Sequence, residues 1–225
     1  MTYDLFIGDR TFSSWSLRGW LMLEKFGLPF RTHLVGLFDG TMADDMADLA
    51  PARLVPALRL PDGTVVGETM AIAETLHERH PDVAMWPADP AARATARWLS
   101  AEMASGFGAL RVACPMQLSH VKEGFALPDD VAADLARIET LWAHARAFAG
   151  AGPWLFGAYS LADAFYAPVC ARIVGYDLPV SDGARAYCQT TISDAAFQAW
   201  RAEGIKVTYD TVPYEMDLPT RPWPV

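Results

Sequence analysis

A hydroxyl-rich helix start and a proline inside a hydrophobic run constrain the fold of this chain more than any other feature. The segment Phe12–Arg18 (FSSWSLR) follows an apolar strand and opens a helix with three serines. The segment Leu54–Leu58 (LVPAL) places a proline just before another strand-like piece, where proline usually marks a turn, an edge or a cis peptide bond. With Glu68 and Thr69 at the start of a further helix, three element ends are predicted to converge on one small ligand.

Composition narrows the class of protein. Acidic residues outnumber basic ones by 27 to 18, which argues against a nucleic-acid-binding surface. Hydrophobic residues make up 52% of the chain, yet no apolar run reaches the length of a membrane span. The start, with Thr2 and Asp4, shows no secretory signal, and Cys114, Cys170 and Cys188 indicate neither a disulfide framework nor a metal site. We therefore expect a cytoplasmic globular protein without a metal.

The first part of the chain alternates strand and helix patterns. Strands are predicted at Tyr3–Ile7 and Phe30–Leu37, then a hairpin at Ala57–Leu60 and Thr64–Val66. Helices are predicted at Trp15–Phe26 and Glu68–Arg79. Between the second strand and the hairpin, residues 41–49 predict a short acidic helix or an irregular turn. The order is βαβ followed by ββα, an α/β domain with a small mixed sheet.

After Pro81 the pattern changes to helices alone. Helices are predicted at Ala91–Val112, Pro128–Phe148, Ser160–Ile173 and Ala195–Ala202, with no strand among them. The expected organisation is therefore an α/β domain at residues 1–82, a linker at 83–90, an all-helical domain at 91–207, and an extended, proline-rich tail at 208–225.

Ser13 and Ser14 are candidate activators of a thiol. Either serine is also a good N-cap for the following helix, which is the simplest interpretation of each alone. A hydroxyl beside the free N–H groups at a helix start stabilises a thiolate. Lowering a thiol pKa by about two units needs about 2.7 kcal/mol, within reach of one hydrogen bond to the charged form plus the helix dipole. No histidine or carboxylate is required.

The segment around Pro56 and the pair Glu68–Thr69 are candidate peptide-binding elements. If the Val55–Pro56 bond is cis, the backbone of Val55 turns outward, where an extended peptide pairs with it. The helix start at Thr69 suits a carboxylate, and Glu68 suits an ammonium group. The alternative is that Pro56 only marks a sheet edge or a turn, and that Glu68–Thr69 is an ordinary helix start. Because the chain has no cysteine before Cys114, disulfide exchange by a thiol at the strand-to-helix corner is not expected.

Taken in this order, these segments resemble those of the cytosolic glutathione transferases. Ser13–Arg18 is similar to the Ser-Ser-Cys-Ser-Trp-Arg signature of the zeta class, and Val55–Leu58 to the family's cis-proline segment. Glu68–Thr69 resembles the family's Glu-Ser pair. Ser160–Asp163 (SLAD) resembles its buried capping box, in which the serine caps a helix and the acid reaches back. The resemblance implies a thioredoxin-like domain followed by a helical domain, glutathione as co-substrate, and a homodimer.

The resemblance also assigns roles to single residues. Ser13 matches the hydrogen-bond donor to the glutathione sulfur, with Ser14 as the alternative. Val55 and Pro56 match the partners of the cysteinyl moiety, and Glu68 and Thr69 those of the γ-glutamyl moiety. Arg18, Ser160 and Asp163 match structural positions. Two positions depart from the pattern: Leu54 replaces the usual Lys or Gln that holds the glycine carboxylate, for which Arg53 is the nearest substitute, and Trp15 replaces the zeta-class cysteine.

A pocket for a small hydrophobic electrophile is expected beside the first helix of the second domain. Met103, Phe107 and Arg111 lie four residues apart and are predicted to share one helix face, with Arg111 orienting an anionic group. The alternative for this stripe is packing between domains. Trp15 is expected at the same pocket, and Trp223 either covers it or lies on the surface. The function implied is glutathione transfer; the alternative is a non-catalytic binding or assembly module, which Leu54 favours.

Overall fold

A mixed four-stranded sheet forms the first part of the molecule. The computed structural model describes residues 2–38, 40–207 and 216–224. The strand order is β2-β1-β3-β4, in which β1 and β2 are parallel and the other neighbours antiparallel. The bounds are β1 Tyr3–Ile7, α1 Ser14–Glu24, β2 Phe30–Leu34, α2 Met42–Asp45, β3 Ala57–Arg59, β4 Val65–Val66 and α3 Thr69–Arg79. The predicted βαβ-ββα order of a thioredoxin-like domain is confirmed.

The burial pattern explains how this sheet is covered. Along β1, the side chains of Tyr3, Leu5 and Ile7 are buried and join the main core with the apolar side chains of α1 and α3. The loop that carries α2 contributes Met46 and Leu49 to a second, smaller apolar cluster. Because successive side chains of a strand point to opposite faces, the sheet is covered on both sides.

Helices make up most of the second part. The bounds are α4 Pro90–Ser105, α5 Gly108–Ala113, α6 Asp129–Arg146, α7 Leu161–Gly175, α8 Asp182–Ile192 and α9 Ala195–Gly204. The predicted helical region is thus confirmed, with α8 as a helix that the sequence pattern did not reveal. Helix α7 is buried almost all round and packs against α1, α4 and α8. Within the described ranges, no helix has both the length and the apolar composition needed to cross a bilayer.

One predicted helix is two helices. The pattern at 91–112 predicts a continuous helix, but α4 ends at Ser105 and α5 begins at Gly108. Between them Phe107 has φ +60°, a left-handed conformation that an α-helix does not contain. Since α3 ends at Arg79 and α4 begins at Pro90, we propose the domain boundary between them.

A second, two-stranded sheet corrects the expectation of helices alone. Strand β5, His120–Lys122, pairs antiparallel with β6, Thr220–Pro222, in the predicted extended tail. Each strand has three residues and pairs with a distant segment, so local periodicity gives no sign of it. Trp223 is buried in the core, packed against Gly175 and below the guanidinium of Arg201, and neither covers the cleft nor lies on the surface. Residues 208–215 of the predicted tail lie outside the described residues.

Candidate functional site

A cleft of about 790 Å³ lies between the α/β part and the helical part of the molecule. It is bordered by the start of α1, the segment before β3, the start of α3, and residues of α4, α5 and α7. Nine of the residues singled out in the sequence line it: Ser13, Ser14, Trp15, Leu54, Val55, Pro56, Glu68, Thr69 and Arg111. The structure therefore brings the three element ends together at one cleft, as the sequence predicts.

Ser13 is the N-cap of α1 and belongs to a network of hydroxyl groups. Its Oγ accepts the N–H of Ser16 at 3.3 Å and shares a 2.7 Å hydrogen bond with Ser16 Oγ. Ser16 Oγ also accepts the N–H of Gly8, the residue that follows β1, at 2.9 Å. The first turn of α1, all of which the structure describes, contains no acidic residue. The positive end of this helix therefore remains available to an anion in the cleft.

Ser14 also lines the cleft, but its hydroxyl belongs to a different hydrogen-bond network. It is the first residue of α1, and its Oγ accepts a hydrogen bond from a terminal nitrogen of Arg172 in α7 at 3.4 Å. The exposed fractions of Ser13 and Ser14 are 9% and 7%, so the two serines are equally accessible. They differ in their partners, which are hydroxyl and backbone groups for Ser13 and a cation for Ser14.

The backbone around Pro56 has the predicted conformation. The Val55–Pro56 peptide bond is cis, and both residues line the cleft. Leu54, 65% exposed, lines the cleft beside them. Arg53 lines an adjoining cavity of about 380 Å³, which shares Leu54 and Glu68 with the cleft. A ligand that extends from the cleft past Leu54 would therefore come to the cavity of Arg53.

The start of α3 is open toward a ligand. Glu68, the residue before α3, has φ +60° and ψ +127°, a conformation that is costly for a residue other than glycine. Thr69 is 2% exposed, and its Oγ1 has no hydrogen-bond partner within the described residues. A buried hydroxyl without a partner is costly, so this group is well suited to engage a ligand in the cleft.

Two arginines, one from α1 and one from α5, contact the ring of Trp15, and Arg172 of α7 lines the same cleft. The guanidinium carbons of Arg18 and Arg111 lie 4.3 and 4.9 Å from the centre of the Trp15 ring. Arg18 is fully buried and donates from Nε to the carbonyl of Phe165 at 2.9 Å, while its terminal nitrogens have no partner in the part of the chain that the structure describes. Burial, followed by the charges of Arg111 and Arg172, lowers the pKa of Arg18 well below its ordinary value. This concentration of positive charge favours an anionic ligand.

The expectation that Met103, Phe107 and Arg111 share one helix face is wrong, because the chain breaks at Phe107. Met103 and Phe107 are buried in the main core, which matches the packing alternative. Arg111 nevertheless lines the cleft. Its Nε donates to the carbonyl of Gly106 at 2.9 Å and a terminal nitrogen donates to the carbonyl of Met103, so its side chain also closes the end of α4.

Arg172 is the polar cleft residue that the sequence reasoning missed. It is 5% exposed and donates from Nε to the carbonyl of Cys114 at 2.9 Å, besides its bond to Ser14. A charged residue inside the apolar run of α7 was the available signal, since a buried charge needs specific partners. The apolar lining that was also missed lies mainly in loops and at helix ends, and it consists of Leu37, Met42, Ala104, Val112, Pro115 and Met116.

None of the three cysteines is among the residues that line the cleft. All three cysteines are buried, and burial raises the pKa of Cys114 to about 12. Burial also raises the pKa of Cys170 well above its ordinary value. A buried, protonated thiol is a poor nucleophile. Among the residues described, no cluster of His, Cys, Asp and Glu side chains has the arrangement of a metal site.

The curated proteins that this chain matches include two named as maleylacetoacetate isomerases. The chain is 37% identical over 114 residues to a probable maleylacetoacetate isomerase of Caenorhabditis elegans, covering 51% of this chain and 52% of that protein. It is 34% identical over 105 residues to the maleylacetoacetate isomerase of Rattus norvegicus, covering 45% and 47%. The chain thus spans about half the length of the curated relatives it matches.

Solved structures match over nearly the whole chain. A glutathione transferase homologue from Burkholderia with bound glutathione aligns with a TM-score of 0.65 at 24% identity, covering 92% of this chain and 99% of that one. Glutathione transferase Omega 1C from Trametes versicolor aligns with a TM-score of 0.68 at 16% identity, covering 91% and 94%. Residues 12–79 match the family described as glutathione S-transferase, N-terminal domain. Residues 12–79 are therefore similar to the glutathione S-transferase N-terminal domain, and the chain has the fold of the glutathione transferases.

Proposed function

We propose that this protein is a glutathione-dependent transferase that activates the thiol of glutathione for attack on a small anionic electrophile. The observation that carries the proposal is the convergence of the α1 start, the cis Val55–Pro56 bond and the open α3 start on one cleft. The names of the curated relatives, and the glutathione bound in structural neighbours, support it.

Glutathione would lie along the α/β side of the cleft. The γ-glutamyl carboxylate would take the Thr69 hydroxyl and the N–H groups at the start of α3, and Glu68 would face the ammonium group. The backbone of Val55 would pair with the cysteinyl moiety, as an edge strand pairs with a peptide. The glycine end would pass Leu54 toward Arg53 in the adjoining cavity. Each of these groups binds the peptide without taking part in the chemistry.

The thiol would then lie at the start of α1. A serine hydroxyl that donates to the thiolate, together with the helix dipole, supplies enough stabilisation to lower the thiol pKa by about two units. We assign this donation to Ser13, with Ser14 as the alternative. Neither serine takes the proton, which is released to water; the serine hydroxyl donates a hydrogen bond that stabilises the thiolate.

The second substrate would occupy the helical side of the cleft, where apolar side chains lie beside two arginine side chains. Arg111 and Arg172 line the cleft beside Val112 and Met116. In a partly dehydrated cleft, a guanidinium group binds a carboxylate strongly and in a defined orientation. An activated alkene that carries a carboxylate fits this combination.

Because a serine and not a cysteine lies at the strand-to-helix corner, we expect conjugation or peroxide reduction to be faster than thiol transfer. Thiol transfer as the dominant activity of a variant without the three cysteines would contradict this expectation.

A second candidate reaction is cis–trans isomerisation of an unsaturated acid, favoured by the relatives named maleylacetoacetate isomerase. The thiolate would add to one alkene carbon, and the π electrons would shift onto the conjugated carbonyl oxygen. Rotation about the new single bond and expulsion of the thiolate would restore the alkene as the trans isomer. Glutathione is regenerated, so a single bound molecule supports many turnovers. Trp15, which replaces the zeta-class cysteine, is the feature that speaks against it.

Binding experiments separate these enzymes from a non-catalytic module. Calorimetry with glutathione should give saturable binding, and turnover of an alkene diacid should exceed that of its neutral diester. Arg172→Met should remove this preference and Arg172→Lys should retain part of it. Absence of glutathione binding at millimolar concentration would overturn the proposal. Binding without turnover of any electrophile tested would favour the non-catalytic module.

We also propose that the protein is a homodimer. Analytical ultracentrifugation, which measures the mass of the assembly in solution, is the test.

A further inference from the structure

Ser16 lies behind Ser13 in a chain of hydrogen bonds that starts at the backbone of the sheet. It is completely buried, so its hydroxyl contacts neither solvent nor a ligand in the cleft. Its Oγ accepts the Gly8 N–H at 2.9 Å and lies 2.7 Å from Ser13 Oγ. Its own backbone N–H donates to Ser13 Oγ at 3.3 Å. Ser16 is therefore bonded to the proposed thiol-binding serine through both its backbone and its side chain.

The direction of the hydroxyl–hydroxyl bond is reversible. A hydroxyl has one hydrogen to donate and lone pairs to accept, and it rotates to suit its partners. When the Ser13 hydrogen points to Ser16, it is not available to a sulfur in the cleft. When Ser16 donates to Ser13 instead, Ser13 is free to donate into the cleft. The N–H groups of Gly8 and Ser16 keep their acceptors in both arrangements.

We propose that Ser16 is a positioning residue that turns the Ser13 hydroxyl toward the glutathione thiolate. This rests on the proposed function and on Ser13 as the thiol-binding serine. In the bound state, Gly8 N–H donates to Ser16 Oγ, Ser16 donates to Ser13 Oγ, and Ser13 donates to sulfur. Each bond in such a series polarises the next, which strengthens the last one by about 10–30% per bond. Ser16 thus lowers the thiol pKa without touching the substrate.

Ser100 of α4 offers a matched control. Like Ser16 it is completely buried, and its hydroxyl donates to the carbonyl of Ala96 at 2.8 Å. It is not among the residues that line the cleft, and it belongs to a different hydrogen bond from the Gly8–Ser16–Ser13 series. An effect of Ser16→Ala that Ser100→Ala does not share is therefore specific to the series.

The test is an ultraviolet titration of the thiolate of bound glutathione in the wild type, Ser16→Ala and Ser100→Ala. We expect Ser16→Ala to raise the pKa of the bound thiol by about 0.3–1 unit, a two- to tenfold loss of thiolate at a pH below it. Ser100→Ala should leave this pKa unchanged. Affinity for S-methylglutathione, which has no proton to lose, should change less than twofold in both variants.

An unchanged thiol pKa in Ser16→Ala would overturn the inference. So would an equal loss of S-methylglutathione affinity, which indicates a displaced helix start, or an equal shift of the thiol pKa in Ser100→Ala. If Ser16→Ala does not fold, Ser16→Cys keeps a weak donor and should raise the pKa to a smaller extent; no shift would overturn the inference equally. If the wild type does not bind glutathione, the proposed function itself fails, and the inference with it.

Discussion

The helices α1 and α7 both begin at a serine N-cap, but the start of α7 is bonded to a carboxylate of the same chain, whereas the start of α1 lines the cleft. At α7, Ser160 forms a reciprocal capping box with Asp163, and both residues are buried. At α1, Ser13 caps the helix without any acidic residue in the first turn, and it lines the cleft. The same local device is closed in one place and open in the other.

The carboxylate of Asp163 explains the closed start. It accepts hydrogen bonds from the N–H groups of Leu155 and Ser160, at 3.1 and 2.8 Å, and from the hydroxyls of Ser160 and Tyr187, at 3.1 and 3.0 Å. These bonds tie α7 to the segment before it and to α8. An internal anion thus occupies the positive end of α7, whereas α1 keeps its positive end for an external one.

The largest expected effect is the loss of the hydroxyl at the open start. Ser13→Ala should lower the rate of transfer to a model electrophile about ten- to a thousandfold, because one hydrogen bond to the thiolate disappears. Ser14→Ala should have a much smaller effect. Steady-state kinetics with folded protein measures both. If Ser14→Ala proves the more damaging change, the thiol-binding role belongs to Ser14.

At the closed start, stability should depend on pH. Burial raises the pKa of Asp163 from 3.8 to about 6, while its four hydrogen bonds oppose the shift. Since the folded pKa exceeds the unfolded one, the contribution of Asp163 to stability is fully present below about pH 4 and is lost as the pH rises through about 6. The full difference is on the order of 3 kcal/mol.

Chemical denaturation at a series of pH values, with Asp163→Asn as the control, isolates this contribution. The wild type should lose stability relative to the variant between pH 4 and pH 6.5, because the variant has no proton to release. A difference in unfolding free energy that stays constant over this range would contradict the prediction.

Removal of the carboxylate should affect stability and leave catalysis alone. Asp163→Ala leaves the donors of Leu155, Ser160 and Tyr187 without their acceptor, and we expect a loss of about 1–3 kcal/mol at neutral pH. The loss should appear in the melting temperature and in refolding yield, with turnover per folded molecule nearly unchanged. Normal stability combined with lost turnover would assign Asp163 to the chemistry instead.

The smallest effect is expected at the exposed edge of the open site. Leu54→Lys adds an ammonium group beside the proposed path of the glycine carboxylate, and an exposed ion pair contributes about 0–1 kcal/mol. Calorimetry should show glutathione binding up to about fivefold tighter, with Leu54→Met as the uncharged control. Equal affinity in both variants would place the glycine end elsewhere.

Short-range signals in the sequence predicted the elements of the site well. The helix start at Ser13 and the capping box at Ser160 each depend on a few adjacent residues, and the structure contains both. Local sequence left a turn, an edge or a cis bond open at Pro56; the resemblance implied the cis bond, which the structure contains. The helix interruption at Phe107 was missed, although Gly106 and Gly108 on either side of it are a local signal against a continuous helix. The left-handed conformation of Phe107 itself exists where its side chain is buried in the core.

The sequence by itself determined the strands and helices of the first domain, most of the later helices and the caps, because those preferences arise from neighbouring dihedral angles and local hydrogen bonds. Tertiary structure decided which of these segments became a site. Arg172 reaches Ser14 only because α7 packs against α1, and β5 meets β6 only because the chain end returns to the helical part. The destination of a long side chain or a short strand depends on the packing of distant elements, which no local pattern records.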